Sequence, residues 1–303
     1  MVYIIQDLTR VITGKTKLLG VIGHPIEHSL SPFMHNAAIA ALNLDYVYLP
    51  LPVRPEDLPA AIAGFAAVGF VGFNVTIPHK QAILPLLSEV SLDAQAIGAV
   101  NTVCRNGNKW LGTNTDIKGF IAPMPTYNQD WSQTVALILG NGGAARAVVA
   151  GCAQLGCAEI HVAGRNQMRL QEFLNSWIKS PLWVDSRLAA KLHVHTWEEL
   201  PTLIPQATLL VNTTPTGMYP DVEASPLSAA QMANLVPGAI VYDLIYNPRP
   251  TVFLQQAQQY GAISIDGLEM LVQQGAAALE MWLQQSVPVN VMRGALQQHL
   301  SGQ

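Results

Sequence analysis

The sequence predicts an α/β protein with two domains, the second of them built on a doubly wound parallel sheet. The chain has 303 residues, more than a single hydrophobic core usually serves. Short apolar runs typical of strands alternate with helical stretches along most of its length. One apolar strand ends in closely spaced glycines near residue 140. Because these glycines lie so far from the N-terminus, a substantial α/β domain is expected to precede them.

Three strands and three helices are predicted before residue 90. Strands are expected at 18–23, 46–51 and 70–76, and helices at 32–42, 56–67 and 81–87. The stretch 58–73 has no charged residue, but Pro59 and three glycines interrupt it, which disfavours a membrane span. The pattern instead predicts an alanine-rich buried helix that turns at Gly69 into the third strand. No membrane association is expected.

A β-hairpin is predicted next. Two strand-like runs, 99–105 and 109–113, flank the turn formers Asn106, Gly107 and Asn108. From Thr134 onward the chain contains six strand candidates separated by helical or loop segments, at 134–139, 158–163, 191–195, 207–212, 238–243 and 261–265. Two final helices, 267–285 and 291–299, are expected to return to the first domain.

The glycine-rich segment 134–146 (TVALILGNGGAAR) predicts a dinucleotide site in a Rossmann-like domain. A strand that runs through such a loop into a helix brings backbone N–H groups and a helix N-terminus against a pyrophosphate. Glycine loops also occur where a helix merely packs tightly on a strand. The strand, loop, helix and second strand stand here in the order of a dinucleotide site, which favours the functional interpretation.

The residues after the second strand predict NADP(H) rather than NAD(H). An NAD enzyme would place Asp or Glu there to hold the ribose 2′-hydroxyl, yet residues 160–171 contain no acid. Arg165 and Arg169 occupy the segment instead, and guanidinium groups suit a 2′-phosphate because they are planar, bidentate donors.

Charge and cysteine usage exclude several classes of function. The net charge is −4, only 12% of residues are charged, and no basic cluster is present, so nucleic acid is not an expected partner. Three cysteines form neither a disulfide framework nor a zinc spacing, which fits a reducing cytoplasm. Asp7 and Arg10 near the N-terminus do not match a secretory signal. A cytoplasmic protein is expected.

Lys80 and Asp116 are candidates for proton chemistry. Lys80 follows the third strand and Asp116 follows the hairpin, so both are expected to face an interdomain cleft. A lysine and an aspartate in one cleft can orient a hydroxyl or carbonyl group and move its proton. The alternatives are a solvated lysine at a helix start and an aspartate N-cap.

Ser29 and Ser31 are candidates for binding a carboxylate. Two residues apart, they share one face if the segment is extended, although Ser31 before Pro32 also suits an N-cap. Asn101 and Asn114 are either turn formers or hydrogen-bond donors to a polyol. His24, His28 and His35 lack acidic companions, so no metal site is expected.

Six motifs in register resemble the shikimate dehydrogenase family. They are HSLSP (28–32), NVTIPHK (74–80), GAVNT (98–102), NTD (114–116), GNGGA (140–144) and DGLEMLVQQ (266–274). The resemblance covers about residues 17 to 285. It implies reversible, NADPH-dependent reduction of 3-dehydroshikimate to shikimate on the way to chorismate and the aromatic amino acids. It also implies a discontinuous substrate domain, 1–116 plus 267–303, and an NADP-binding domain, 117–266.

The resemblance assigns a role to each matched residue. Lys80 and Asp116 would be the catalytic pair, and Ser29 and Ser31 would hold the substrate carboxylate. The substrate pocket would be completed by Thr76, Asn101, Tyr246 and Gln274. The cofactor would be bound by Gly140, Asn141, Gly142, Gly143, Ala144, Gly164, Arg165, Asn166, Arg169 and Thr213, with Leu244 and Gly267 bordering the nicotinamide.

The chain departs from the family pattern at two places. Gly164-Arg165-Asn166 replaces the usual Asn-Arg-Thr, which keeps the arginine but changes its polar neighbours. Asn141 occupies a position that is often Ala or Ser. Two other functions stay open: a quinate/shikimate dehydrogenase, and a catalytically idle NADPH-binding regulator, which should have lost Lys80 or Asp116. A monomer or a homodimer is expected.

Overall fold

The computed structural model describes residues 11–127, 129–178 and 188–301. Asp7 and Arg10, on which the prediction of no secretory signal rests, lie outside these residues. The described strands are β1 (Lys17–Gly23), β2 (Tyr46–Pro52), β3 (Phe70–Val75), β4 (Glu89–Val90), β5 (Thr102–Asn106), β6 (Lys109–Thr113), β7 (Val135–Leu139), β8 (Glu159–Gly164), β9 (Leu192–Thr196), β10 (Leu209–Asn212), β11 (Ile240–Asp243) and β12 (Ile263–Ile265).

The described α-helices surround two sheets. They span Ser31–Ala41, Leu58–Ala67, His79–Ala82, Leu92–Ile97, Asp116–Ile121, Gly143–Leu155, Gln167–Ile178, Leu188–Lys191, Leu200–Leu203, Ala229–Met232, Val252–Gln259, Leu268–Leu283 and Val289–Ser301. Short 3₁₀ turns lie at Pro55–Asp57, Leu84–Leu86, Met124–Thr126, Trp131–Gln133, Trp197–Glu199 and Ile204–Gln206. No described helix is long and apolar enough to cross a membrane.

The first sheet is mixed, with strand order β2-β1-β3-β5-β6-β4. Its strands β1, β2 and β3 are parallel, whereas β5 is antiparallel to both β3 and β6. The β5–β6 hairpin turns at Gly107 and Asn108, with Asn106 paired to Lys109, as its sequence predicts.

The second sheet is parallel throughout, with strand order β12-β11-β10-β7-β8-β9. All six predicted strands of this region are present, which confirms the doubly wound arrangement. The strand order reverses between β7 and β10. In open α/β sheets this point leaves a crevice at the carboxyl ends of the two strands, where ligands bind.

Of the two C-terminal helices, Leu268–Leu283 packs on the first sheet, and Val289–Ser301 packs on Leu268–Leu283 and on the helix Ser31–Ala41. The helix Leu268–Leu283 shares a hydrophobic core with the helix Ser31–Ala41 and with β1. The indole Nε1 of Trp282 donates to the carbonyl oxygen of Val103 in β5 at 2.9 Å. The helix Asp116–Ile121 contacts both Leu268–Leu283 and Gly143–Leu155, so it lies between the two sheets.

Two local predictions are wrong. The helix expected over 81–87 is instead the short helix His79–Ala82 followed by the 3₁₀ turn Leu84–Leu86, because Pro85 cannot donate a helical hydrogen bond. The alanine-rich helix Leu58–Ala67 is not buried as a whole. Only Leu58 and Ile62 are buried in it, because the helix packs on the sheet with a single face.

Candidate active site

Lys80 and Asp116 form a close ion pair in the cleft between the two sheets. Lys80 lies in the short helix after β3, and Asp116 is the first residue of the helix Asp116–Ile121. The Lys80 Nζ donates to Asp116 Oδ2 at 2.5 Å, and the two side chains are 15% and 7% exposed. The structure therefore brings the predicted pair together and excludes the solvated-lysine alternative. Asp116 is likewise not an N-cap, since that position is Thr115.

Asn101 and Gln274 lie beside this pair. The Asn101 Nδ2 donates to Asp116 Oδ1 at 2.7 Å and approaches Gln274 Oε1 at 3.4 Å. Asn101 is 2% exposed. Asp116 thus accepts from an ammonium on one oxygen and from an amide on the other, so both of its carboxylate oxygens are held in place.

Asn114 has a structural role. Its Nδ2 donates to the carbonyl oxygen of Ala99 at 3.0 Å, and its Oδ1 accepts from the backbone N–H of Asp116 at 2.9 Å. Of the two interpretations open for Asn114, the structure supports the turn former.

Ser29 and Ser31 lie at a bend and not in an extended segment. The Ser29 hydroxyl accepts from the Ser31 N–H at 3.4 Å, and Leu30 between them has helical dihedral angles. The helix begins at Ser31, so its N-cap is Leu30 and the N-cap interpretation of Ser31 is wrong. Tyr246 lies beside the bend that contains Ser29 and Ser31. Burial raises the pKa of its hydroxyl, while a hydrogen bond with the Leu30 backbone opposes the rise.

Thr76 immediately follows β3, at the edge of the same cleft. Its N–H donates to the carbonyl oxygen of Ile22 at 2.9 Å, and its own carbonyl oxygen accepts from the His79 N–H at 2.9 Å. Its half-buried side chain is therefore held by the backbone on the side of the cleft that carries Lys80.

The glycine-rich loop follows β7 at the reversal of strand order. Gly140 has a φ of +102°, and a Cβ there would lie 2.8 Å from the Oγ1 of Thr213, so glycine is required. Thr213 itself donates to the carbonyl oxygen of Leu139 at 2.7 Å. Gly142 faces open space, and the 13-residue helix Gly143–Leu155 begins directly after it. This geometry fits a dinucleotide phosphate on exposed N–H groups.

The glycine-rich loop also contacts Lys80. A Cβ built on Gly143 would lie 3.4 Å from the Cδ of Lys80. Ala144 follows Gly143 in the first turn of the helix. The predicted catalytic lysine and the predicted phosphate-binding loop, more than 60 positions apart in the chain, are therefore neighbours.

The end of β8 lies next to the loop. The side-chain carbon Cγ of Asn141 would be 3.5 Å from a Cβ on Gly164. Arg165 and Arg169 are exposed, and the described part of the chain offers neither guanidinium an ion-pair partner. The Oδ1 of Asn166 accepts from the Arg169 N–H at 3.0 Å, so Asn166 also caps the helix Gln167–Ile178. Both guanidinium groups remain able to bind a phosphate.

Leu244 and Gly267 touch just beyond the carboxyl ends of the adjacent strands β11 and β12. Leu244 follows β11, and Gly267 precedes the helix Leu268–Leu283. A Cβ on Gly267 would lie 2.5 Å from the carbonyl carbon of Leu244 and nearer still to its oxygen. Only glycine permits this approach of the two backbones. Among the described residues, no group of three or more His, Cys, Asp and Glu side chains is arranged to hold a metal ion.

Comparison with known proteins identifies the family. The model of the "Shikimate dehydrogenase substrate binding domain" matches residues 21–103, and that of the "Shikimate 5'-dehydrogenase C-terminal domain" matches residues 267–297. A curated "Shikimate dehydrogenase (NADP(+))" of Trichormus variabilis is 70% identical over 292 residues, covering 96% of this chain and 99% of the relative. The chain belongs to the shikimate dehydrogenase family.

Solved structures of shikimate dehydrogenases share the whole fold. The Aquifex aeolicus enzyme superposes with a TM-score of 0.82 at 33% identity, covering 95% of this chain and 100% of that one. The Thermus thermophilus enzyme, solved in complex with NADP(H) and shikimate, gives a TM-score of 0.79 at 33% identity, covering 93% and 99%. These likenesses confirm the two-domain α/β fold and the family predicted from the six motifs.

One buried charge was not among the residues predicted for the shikimate dehydrogenase site. Arg146 is 7% exposed, its Nη1 donates to the carbonyl oxygen of Ile97 at 3.0 Å, and its guanidinium lies 4.9 Å from the centre of the Phe173 ring. Burial lowers its pKa to about 10. In the sequence, Arg146 could have been recognised as an arginine among the apolar residues of the helix that follows the glycine loop. It joins this helix to the segment that carries Asn101.

Proposed function

We propose that this protein catalyses the reversible, NADPH-dependent reduction of 3-dehydroshikimate to shikimate, with Lys80 and Asp116 as its catalytic pair. The observation that carries the assignment of the pair is its position. The two side chains are buried together, and the Lys80 stem lies against Gly143, where the glycine-rich loop that suits a dinucleotide phosphate enters its helix. A proton donor and a hydride carrier can therefore reach one carbonyl group.

NADP(H) is the cofactor. The prediction from Arg165 and Arg169 agrees with the curated relatives, which are named as NADP(+) enzymes. We infer that the N–H groups of residues 140–144 hold the pyrophosphate and that the two guanidinium groups hold the 2′-phosphate. When bound, NADPH supplies the hydride.

Reduction of a ketone to an alcohol also needs one proton on the oxygen. Lys80 carries three N–H donors, of which the geometry commits one to Asp116. A second can donate to the reacting oxygen and transfer its proton as charge develops there. Asp116 is held by Asn101, so it stabilises the ammonium and keeps Lys80 aimed into the cleft.

The substrate would lie between this pair and the serine bend. Ser29, Ser31 and Tyr246 form the corner proposed to hold the carboxylate, while Thr76, Asn101 and Gln274 border the side that faces its hydroxyl groups. We propose domain limits of 1–116 plus 267–303 and 117–266, which the packing of the C-terminal helices on the first sheet and on the helix Ser31–Ala41 supports. A cytoplasmic monomer or homodimer is proposed, and its three free thiols support a reducing compartment.

Initial rates with shikimate and quinate, each with NADP⁺ and NAD⁺, test the function. We expect shikimate with NADP⁺ to be the fastest combination. Faster turnover of quinate with NAD⁺ would support a quinate/shikimate dehydrogenase instead, and no turnover with any combination would support a regulator.

Lys80→Ala tests the residue assignment. It is expected to lower kcat by roughly 10²- to 10⁴-fold, because general acid–base catalysis contributes about that factor. NADP⁺ binding, followed by fluorescence titration, should change little because the phosphate contacts come from the other domain. Lys118→Ala removes an exposed lysine and is the matched control. Unchanged turnover in Lys80→Ala would refute the assigned role.

A further inference from the structure

Tyr48 is a fully buried tyrosine on β2, behind the proposed substrate pocket. It is 1% exposed, and its ring stacks on the imidazole of His35 with centres 4.0 Å apart and planes inclined by 9°. The Asn36 side chain holds the Tyr48 backbone on both sides, accepting from its N–H and donating to its carbonyl oxygen at 2.9 Å each. Both the backbone and the ring of Tyr48 are therefore fixed.

The Tyr48 hydroxyl bonds to Asn74, which in turn bonds to the segment around Asn101. Tyr48 Oη donates to Asn74 Oδ1 at 2.6 Å. The Nδ2 of Asn74 donates to the backbone carbonyl oxygen of Asn101 and to the Oγ1 of Thr102, both at 3.1 Å. Asn74 is 6% exposed, so water has little access to its amide group and does not replace these hydrogen-bond partners.

The direction of these hydrogen bonds follows from chemistry. The backbone carbonyl oxygen of Asn101 can only accept, so the Asn74 NH₂ group must face it. The Asn74 Oδ1 then points at residue 48, where only a donor can satisfy it. A tyrosine hydroxyl meets this requirement, whereas a phenylalanine would leave a buried acceptor unpaired.

The same direction continues to the catalytic pair. Thr102 Oγ1 donates to Asn101 Oδ1 at 2.9 Å, which leaves the Asn101 NH₂ group to donate to Asp116 Oδ1 at 2.7 Å. Every step from Tyr48 to Asp116 therefore donates toward the carboxylate, and Lys80 donates to it from the other side. Hydrogen bonds aligned in this way polarise and strengthen one another in a dry interior.

We propose that Tyr48 is a positioning residue for the reaction: its hydroxyl orients the Asn74 amide, which holds Asn101 in the position that orients Asp116. The inference rests on the proposed function of Lys80 and Asp116. Tyr48 also lies next to Ser31 at the carboxylate corner. Burial raises the pKa of the Tyr48 hydroxyl, and a hydrogen bond with the Ser31 side chain opposes the rise.

Tyr48→Phe tests the proposal because it removes only the hydroxyl and keeps the stack on His35. We expect kcat to fall about tenfold, while the KM for NADP⁺ stays within a factor of two. The control is Tyr46→Phe, which removes the hydroxyl of a half-buried tyrosine two residues earlier on the same strand; among the described residues, the hydrogen-bond partner of that hydroxyl is the Lys17 Nζ. Tyr46→Phe should keep the wild-type kcat. All rates are measured well below each variant's melting temperature.

A double variant separates positioning from general destabilisation. If Tyr48 acts through Asn74, then adding Tyr48→Phe to Asn74→Ala should lower kcat by no more than twofold further. A full additional tenfold loss would show that Tyr48 acts by another route and would overturn the proposal, as would an unchanged kcat in Tyr48→Phe alone.

A readout without turnover keeps the proposal distinct from the proposed function. The side-chain amide protons of Asn74 and Asn101, observed by NMR, should exchange with solvent faster in Tyr48→Phe than in Tyr46→Phe. Equal exchange rates would refute the positioning role even if the wild type oxidises shikimate. Faster exchange in a wild type that oxidises neither shikimate nor quinate would support the network and reject only the function.

Discussion

Gly267→Ala should weaken both the fold and cofactor binding. A Cβ at this position would lie 2.5 Å from the carbonyl carbon of Leu244 and 3.0 Å from that of Ile245. Both obstacles are backbone atoms, so no side chain can rotate away. The start of the helix Leu268–Leu283 must move away from the segment after β11, and both segments are proposed to border the nicotinamide.

The size of the effect follows from these distances. Unstrained carbon–oxygen contacts lie near 3.3 Å, so the two backbones must separate by about 1 Å. Forcing a methyl group into a packed site costs about 1 to 3 kcal/mol. If the strain falls on the arrangement that binds the cofactor, the Kd for NADP⁺ should rise by roughly tenfold, because about 1.4 kcal/mol corresponds to that factor.

Thermal unfolding and fluorescence titration with NADP⁺ measure the two effects. Gly64→Ala is the matched control: Gly64 lies in the helix Leu58–Ala67, and apart from its chain neighbours and the backbone of its own helix no described atom lies within 4 Å of an added Cβ. An alanine should stabilise that helix by about 0.5 to 1 kcal/mol. The reasoning is wrong if Gly267→Ala unfolds at the wild-type temperature and binds NADP⁺ with the wild-type Kd.

Two further predictions concern the adenosine site and acid stability. Arg165→Ala should raise the KM for NADP⁺ by roughly 10- to 100-fold, since charged hydrogen bonds contribute about 1.5 to 3 kcal/mol, and it should leave the KM for NAD⁺ almost unchanged. Equal losses with both cofactors would contradict a 2′-phosphate contact. Burial lowers the pKa of His35 from its ordinary 6.5 to about 4. As the pH falls, the His35 side chain therefore takes up a proton in the unfolded chain before it does so in the folded protein. The free energy of unfolding is unaffected by His35 above pH 6.5 and decreases as the pH falls from 6.5 to about 4. The loss is on the order of 3 kcal/mol. Denaturant titrations of wild type and His35→Gln across this range should show a shallower pH dependence in the variant; parallel curves would disprove the assignment.

The local sequence pattern was sufficient to predict strands and turns whose geometry requires particular residue types. The hairpin at Gly107, the glycine loop at Gly140 and the six parallel strands all lie where the sequence predicts them. Each depends on neighbours within a few residues: a turn that needs particular residues, or an apolar run that must be buried. These features therefore did not need the tertiary structure.

The errors arose where a local pattern has two solutions. An apolar, alanine-rich run fits a fully buried helix or a helix that buries one face, and only packing made Leu58–Ala67 the second. Ser29 and Ser31 fit an extended strand or a bend, and the Ser29 hydroxyl decided for the bend by accepting from the Ser31 N–H. The position of the helix depends on contacts with residues distant in the chain, whereas the bend depends on a hydrogen bond between residues only two positions apart.

The sequence by itself determined the class of fold, the family and the preference for NADP(H), because these follow from motifs and from the periodicity of apolar residues, which are local properties of the chain. Only the tertiary structure decided that Lys80 meets Asp116 within hydrogen-bond distance, that Gly143 lies against the lysine, and that Tyr48 reaches Asp116 through Asn74 and Asn101. These contacts join residues from separate strands and helices. Their geometry depends on how two sheets and the helix between them pack, and so on distances that no local pattern records.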